Sequence, residues 1–207
     1  MSSEPVRYGD PDTRHRILRA AWELMEERGA EVRLVDVADR ARVSRQALYL
    51  HFGDRAGLLI ALVEFMDEAL GLGDLVAHVF AAPTGAEMLE RTMELYVRMA
   101  PRIDRVAEVL ETAQYEDEGL AAAWRNRMDN RQRVHRMIVQ RISDEGQLAE
   151  GWTVDAAADL FYAITMPGPW RELTMELGWT PDDYRKHLSR FLERALIEDK
   201  SERRASR

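Results

Sequence analysis

Four hydrogen-bonding side chains, Arg45, Gln46, Tyr49 and His51, fall within two turns of one short segment, RQALYLHF at 45–52. Guanidinium, carboxamide, phenol and imidazole are the groups that pair with base edges and phosphate oxygens. The segment is too short for a core helix, yet Leu48 and Phe52, at i and i+4, give it one apolar edge. That edge can face Val37, Ala38 and Ala41 of VDVADRA at 35–41, and only Arg42, Val43 and Ser44 connect the two runs. So short a connection predicts a tight turn between crossing helices, which would present the second at a fixed angle for reading a groove. Helix pairs with short turns are common in helical proteins. The polar composition of the second member sets this one apart.

The elements that must position these residues read as helices throughout. Helical periodicity dominates, alternation of period two is nearly absent, and the predicted fold is all-α, with nine or ten helices. Asp12 or Thr13 can cap a first helix carrying Ile17, Leu18, Ala21, Trp22, Leu24 and Met25, which Gly29 ends. After 35–41 and 45–52, Asp54 is expected to cap one long helix to about residue 80. Pro83 and Thr84 begin another to about 99, Pro101 is expected to break it, and a further helix covers 102–115. The turn YEDEG at 115–119 precedes a long helix over about 120–145. Gly146 and Gly151 punctuate the chain before Thr153 caps a helix through VDAAADLFYAITM. The triplet Pro167, Gly168 and Pro169 predicts a break, a short amphipathic segment reaches Leu177, and Thr180 with Pro181 opens a last helix to about 198. The tail SERRASR is expected to fray.

Composition narrows the function classes. Apolar residues make up 46% and charged residues 32%, the balance of a globular protein, and there is no cysteine to form a disulfide, bind a metal or act as a nucleophile. No apolar run approaches the length of about 20 residues that a membrane span needs, and the expected location is cytoplasmic. The net charge of −8 would by itself oppose binding to a polyanion. Its distribution matters more, because residues 1–55 hold ten Arg against ten Asp or Glu, so the whole acid excess lies beyond them. Only Lys186 and Lys200 are lysines. An enzyme would need equipment that is missing: no phosphate-binding glycine loop, no His-Glu-x-x-His, no Gly-x-Ser-x-Gly, and no His with Glu three residues before it. No catalytic residue, metal ligand or cofactor is therefore assigned, and YEDEG reads as a solvated turn.

The head resembles the tetracycline-repressor family, whose signature has Asp-Ile-Ala-like residues, then Ala-Gly-Val-Ser, then Leu-Tyr-x-His-Phe. The corresponding residues are Val35-Asp36-Val37-Ala38, Ala41-Arg42-Val43-Ser44 and Leu48-Tyr49-Leu50-His51-Phe52, followed by Gly53-Asp54-Arg55-Ala56-Gly57-Leu58-Leu59. The Gly178-Trp179-Thr180-Pro181 turn is similar to many members as well. The resemblance implies an N-terminal three-helix DNA-binding domain at 1–53 and a helical ligand-binding and dimerisation domain at 54–207. It implies base reading by Arg45, Gln46 and Ala47 at the start of the recognition helix, entered through Ser44, with backbone contacts from Tyr49, His51 and Arg55. Two residues depart from the family pattern. Arg42 replaces the usual turn glycine and must either adopt positive φ or shift the turn. Arg33 replaces the usual Thr near the start of the second helix, which could turn a neutral phosphate contact into a charged one.

The implied protein is a homodimer on a palindromic double-stranded operator, released by an unidentified small apolar or amphipathic effector. The expected dimerising helices are 153–165, with Ala156, Ala157, Leu160, Phe161 and Ile164, and 181–197, with Tyr184, Leu188, Phe191, Leu192, Ala195 and Leu196. The expected pocket lining is Met93, Tyr96, Met99, Ile103, Tyr115, Trp124, Met128, Phe161, Tyr162, Met166 and Trp170, with Arg131 and His135 as polar anchors. Methionines and aromatics suit an adaptable cavity, and they suit a packed core equally. Two alternatives stand beside this reading: a helical protein-interaction adaptor, and a regulator without a small-molecule inducer.

Overall fold

The computed structural model describes residues 10–198, so the expectation for the SERRASR tail lies outside the described residues. Within them the fold is all-α, with ten α-helices and a single isolated antiparallel bridge between Leu148 and Ile197. The chain divides into two compact units, one holding the described residues through Leu70 with Ile103–Arg125, the other Gly71–Arg102 with the described residues from Asn126 onward. The expected boundary at residue 53 falls inside the first unit.

In the first unit, α1 (Pro11–Arg28) buries Ile17, Leu18, Ala20, Ala21, Leu24 and Met25 on one face. Asp10, rather than Asp12 or Thr13, is its N-cap: the Asp10 carboxylate accepts from Asp12 N at 3.3 Å and from the Thr13 hydroxyl at 2.9 Å. Both hydrogen bonds hold the Asp10 carboxyl below the usual carboxylate range. After a 3-10 turn at Gly29–Glu31 come α2 (Leu34–Ala41), α3 (Arg45–Phe52) and α4 (Arg55–Ala69). Their inward residues are Val37, Ala38 and Ala41, then Leu48 and Phe52, then Ala56, Leu58, Leu59, Ala61, Leu62 and Met66. Arg40 ties α2 to α1 through both Glu27 oxygens, at 3.1 and 2.8 Å. The Arg14 guanidinium lies 4.8 Å from the centroid of the Phe52 ring, over its face.

In the second unit the core gathers Met88, Leu89, Met93, Tyr96, Ile138, Val139, Ile142, Ala157, Phe161, Trp170, Tyr184, Leu192 and Leu196. Its helices are α5 (Leu72–Phe80), α8 (Val154–Ile164), α9 (Pro167–Arg171) and α10 (Pro181–Leu196), with parts of α6 (Gly85–Ala113) and α7 (Glu118–Asp144). Thr153 caps α8 by accepting from Ala156 N, and Thr180 with Asp183 forms a reciprocal capping box at α10. A Cβ on Gly85 would lie 2.7 Å from the Ile142 backbone nitrogen, so the start of α6 approaches α7 as only glycine permits. The last turn of α10 is pinned by Ala149 N donating to Leu196 O at 2.9 Å and Glu198 N to Gln147 O at 2.8 Å.

Three breaks fall elsewhere than expected. The segment from Asp54 to residue 80 is two helices, because Gly71 takes φ 65 and ψ 35 between α4 and α5. Pro101 does not end its helix, and α6 runs unbroken through it. An interior proline costs a helix about 3 kcal/mol; Tyr96, Met99, Ala100, Val106, Val109 and Leu110 on either side of Pro101 are all buried, and their packing offsets that cost. The break before the Pro167 triplet comes earlier, at Thr165 and Met166, and Pro167 is the first residue of α9, where its missing N–H costs nothing. That helix continues as a wider turn over Glu172–Glu176.

Candidate nucleic-acid interface and polar cluster

The geometry of α3 is set at both ends by the chain around it. Ser44 is its N-cap, the hydroxyl accepting from Ala47 N at 3.1 Å. Before it, Arg42 closes α2 with φ 54 and ψ 48, in the left-handed region. Arg42 N donates to Asp39 O at 3.1 Å and Val43 N to Ala38 O at 3.0 Å, the paired bonds of a Schellman turn with arginine where glycine is usual. The turn keeps its shape and the arginine bears the strain. Arg42→Gly is therefore expected to raise stability by about 0.5–1 kcal/mol, the relieved Cβ strain exceeding the extra freedom of the unfolded chain. A urea midpoint that falls on substitution would contradict this.

Leu48 is 1% exposed and Phe52 8%, so one edge of α3 is locked into the unit's core. The opposite side carries Arg45 and Gln46, both exposed, and Tyr49, 51% exposed. Ala47 and His51 are half-buried, the His51 ring lying 5.9 Å from that of Phe52. Leu50, one helical turn after Gln46, is 77% exposed. An exposed leucine at i+4 from a base-reading candidate could have been singled out from spacing alone, since apolar side chains contact the thymine methyl. Arg55 is the first residue of α4 and already has a partner, and the adjacent Asp54 carboxylate accepts from Gly57 N at 2.8 Å. One amide of that helix start is thus occupied.

Arg33 stands at the N-cap of α2, where it has no acceptor to offer. Instead the Asp36 carboxylate takes Arg33 N at 3.2 Å and the guanidinium through Nε at 3.1 Å and Nη2 at 3.0 Å. That grip holds the Asp36 carboxyl well below its ordinary range. The Arg33 side chain remains 75% exposed, and any phosphate contact from it would have to share or displace Asp36.

The residues expected to line a pocket divide between the units. Tyr115 and Trp124 belong to the first, where Trp124 is 8% exposed and Tyr115, at 85%, stands in solvent. Ile103 begins the first unit's segment of α6. In the second unit Met93, Met99 and Met128 are buried, and a polar cluster forms around the C-terminal end of α8. Three successive carbonyls there each accept from a different side chain. Tyr184 Oη donates to Ile164 O at 2.6 Å, Arg131 Nη2 to Thr165 O at 2.5 Å, and Tyr96 Oη to Met166 O at 3.0 Å. Trp170 packs on Tyr184 at 5.0 Å and on Tyr96 at 5.9 Å between ring centroids, and the Arg131 guanidinium lies 5.7 Å from the Tyr96 centroid. Tyr162 is half-buried, with its hydroxyl pKa raised by burial.

His135 is 4% exposed, between these groups and Phe161, whose ring it meets edge-on at 4.4 Å. Its Nδ1 lies 2.6 Å from Arg131 O, which can only accept, so Nδ1 carries the proton. Nε2 then accepts from the Thr165 hydroxyl at 3.0 Å. Burial lowers the His135 pKa to about 4, and the imidazole is neutral at physiological pH. Burial also pushes the Tyr184 hydroxyl up to about 12. Thr165 and Tyr184 were not expected in this cluster. Their sequence signals are those of a helix end and a core stripe, and only the packing brings them to Arg131.

Among the described residues no group of three or more His, Asp or Glu could hold a metal ion, and no helix is long and apolar enough to cross a membrane. The model for bacterial regulatory proteins of the tetR family matches residues 17–62, the span from α1 into α4. The chain is 27% identical over 165 residues to the uncharacterized HTH-type transcriptional regulator YdeS of Bacillus subtilis (strain 168), covering 78% of this chain and 80% of that one. Its fold is similar to that of a Saccharomonospora viridis protein crystallised in complex with choline, at TM-score 0.80 and 22% identity, over 92% of this chain and all 100% of that one. It is similar also to the regulator FadR of Bacillus subtilis in complex with stearoyl-CoA, at TM-score 0.71 and 17% identity, over 87% and 98% of the two chains. With the α2-turn-α3 unit built as described and the family match laid over it, residues 17–62 form a helix-turn-helix domain of the tetR family of bacterial regulatory proteins.

Proposed function

We propose that this regulator is a repressor that binds a near-palindromic operator as a homodimer and leaves it when a small apolar or amphipathic molecule binds its helical body. Residues 1–53 are the reading head in this proposal and 54–207 the sensing and dimerising body. The observation that carries it is α3: Leu48 and Phe52 anchor it while Arg45, Gln46 and Tyr49 stand free of the core. Ser44, Arg45, Gln46 and Ala47 then enter the major groove, and Arg33, Tyr49, His51 and Arg55 meet the backbone. Two heads on a dimer would address successive grooves about 34–36 Å apart. The similar folds solved with choline and with stearoyl-CoA support an effector bound in the body, and the Tyr96, Arg131, His135, Phe161, Tyr162, Met166 and Trp170 cluster is its proposed seat.

A duplex selected from a random pool provides the test. Gln46→Ala is expected to weaken binding to the selected site by about 1–3 kcal/mol and to leave binding to random duplex almost unchanged, whereas Tyr49→Phe weakens both alike. Fluorescence anisotropy on the two duplexes reads this directly, and equal losses for Gln46→Ala on both would refute the division of labour. Affinity must also fall steeply with salt as phosphate counterions are released. Absence of any duplex binding would favour an adaptor.

A further inference from the structure

The cluster at the end of α8 is rich in donors and poor in acceptors. The carbonyls of Ile164, Thr165 and Met166 each receive one side-chain donor. The Trp170 indole N–H is buried with no acceptor, and the Arg131 guanidinium, which has five N–H groups, makes that one bond to Thr165 O. Among the described residues Arg131 has no ion pair, and no Asp or Glu is among the largest influences on its charge. Burial, with repulsion from Arg127 one turn earlier on α7, lowers its pKa, the mark of a cation short of counter-charge. A helix C-terminus supplies about half a negative charge and the Tyr96 ring a cation–π contact, which together leave the positive charge incompletely balanced. Arg131 nevertheless retains some accessible surface.

We propose that the effector is an organic carboxylate with an apolar body, its carboxylate gripped by the Arg131 fork and its body laid against the neighbouring aromatic rings. This rests on reading the second unit as the effector-binding body. A guanidinium matches a carboxylate in a bidentate geometry, and one fixed cation suits a monoanion. The same residues disfavour a cationic effector: Tyr96, Trp170 and Tyr184 are the kinds of ring that surround a quaternary ammonium, but the face of Tyr96 is taken by the protein's own cation.

The test is a head-group series on the full chain. Butyrate, octanoate and dodecanoate are compared with their methyl esters and with alkyltrimethylammonium salts of matching chain, by thermal shift and by release from the selected duplex. The expected result is stabilisation by at least one carboxylate, at least about tenfold tighter than its ester and absent for the ammonium. Arg131→Gln should remove the preference for carboxylate over ester, and Arg131→Lys should keep part of it, with far-UV circular dichroism and the unliganded melting temperature reporting on folding. Should Arg131→Gln fail to fold, the head-group series on the unaltered protein still decides. Stabilisation by ammonium or ester equal to that by carboxylate, or an unchanged preference in Arg131→Gln, overturns this proposal and leaves the effector reading standing. Response to no compound at any chain length overturns both.

Discussion

Gly57→Ala is expected to lower the melting temperature by about 5–10 °C, a loss of about 2–3 kcal/mol for a chain of this size. Helix propensity alone gives the opposite sign, since alanine inside a helix is worth about 1 kcal/mol more than glycine. The collision decides. A Cβ at position 57 would sit 2.0 Å from the Phe52 carbonyl oxygen and 3.1 Å from its carbonyl carbon, and both atoms are backbone, so no side chain can swing aside. The strain falls on the joint between α3 and α4, and operator affinity should fall with stability. Gly73→Ala is the matched control. It lies inside α5 with nothing within 4 Å of its Cβ position, and should melt no lower than the unaltered protein. A Gly57→Ala protein that melts at or above the original would show that α4 can start elsewhere.

Phe191→Asp is expected to convert the protein to monomers and to weaken operator binding by about 100-fold or more, because one head alone offers too little interface for tight specific binding. On α10, Tyr184, Leu192 and Leu196 are consumed by the unit's own core, whereas Phe191 is 49% exposed in a shallow groove lined by His187, Arg190, Arg194 and Ala195. On α8, Ala157 and Phe161 face the core while Ala156 and Ala163 are exposed and Leu160 half-buried. The stripes expected to dimerise are thus split, one edge inside the unit and the other outward, and the proposed two-fold interface is the outward edge. At its centre the substitution would remove the ring's apolar contact and bring two carboxylates together across the axis. Because Phe191 is not part of the core, the variant should keep its helical circular dichroism. Sedimentation that still shows a dimer would place the interface elsewhere.

Local chemistry was legible in the sequence where a residue answers to its immediate neighbours. The spacing of Leu48 and Phe52 beside Arg45, Gln46 and Tyr49 was enough to separate the buried and open sides of α3, because in a helix two turns long only one edge can be covered. The caps at Asp54, Thr153 and Thr180 are likewise local, each made by a side chain and an amide three residues on. Sequence reasoning also showed that Arg42 must take positive φ or shift the turn, and the tertiary structure decided for the strained backbone with the turn intact. Propensity misled where long-range packing outweighed it. Pro101 should end a helix, yet burial of the residues on either side of it holds α6 continuous.

The polar cluster was half legible. Arg131 and His135, one turn apart, suggested a pair of anchors, but their partners lie thirty or more residues away in the chain: Thr165 for both, and the rings of Tyr96 and Trp170 around them. The sequence by itself therefore determined an all-helical chain with a DNA-reading head, since periodicity, caps and a short turn act over a few residues. Only the tertiary structure decided that Arg131 is a half-buried cation bonded to a carbonyl rather than paired with an acid, because the balance of charge at a point depends on everything that folds against it.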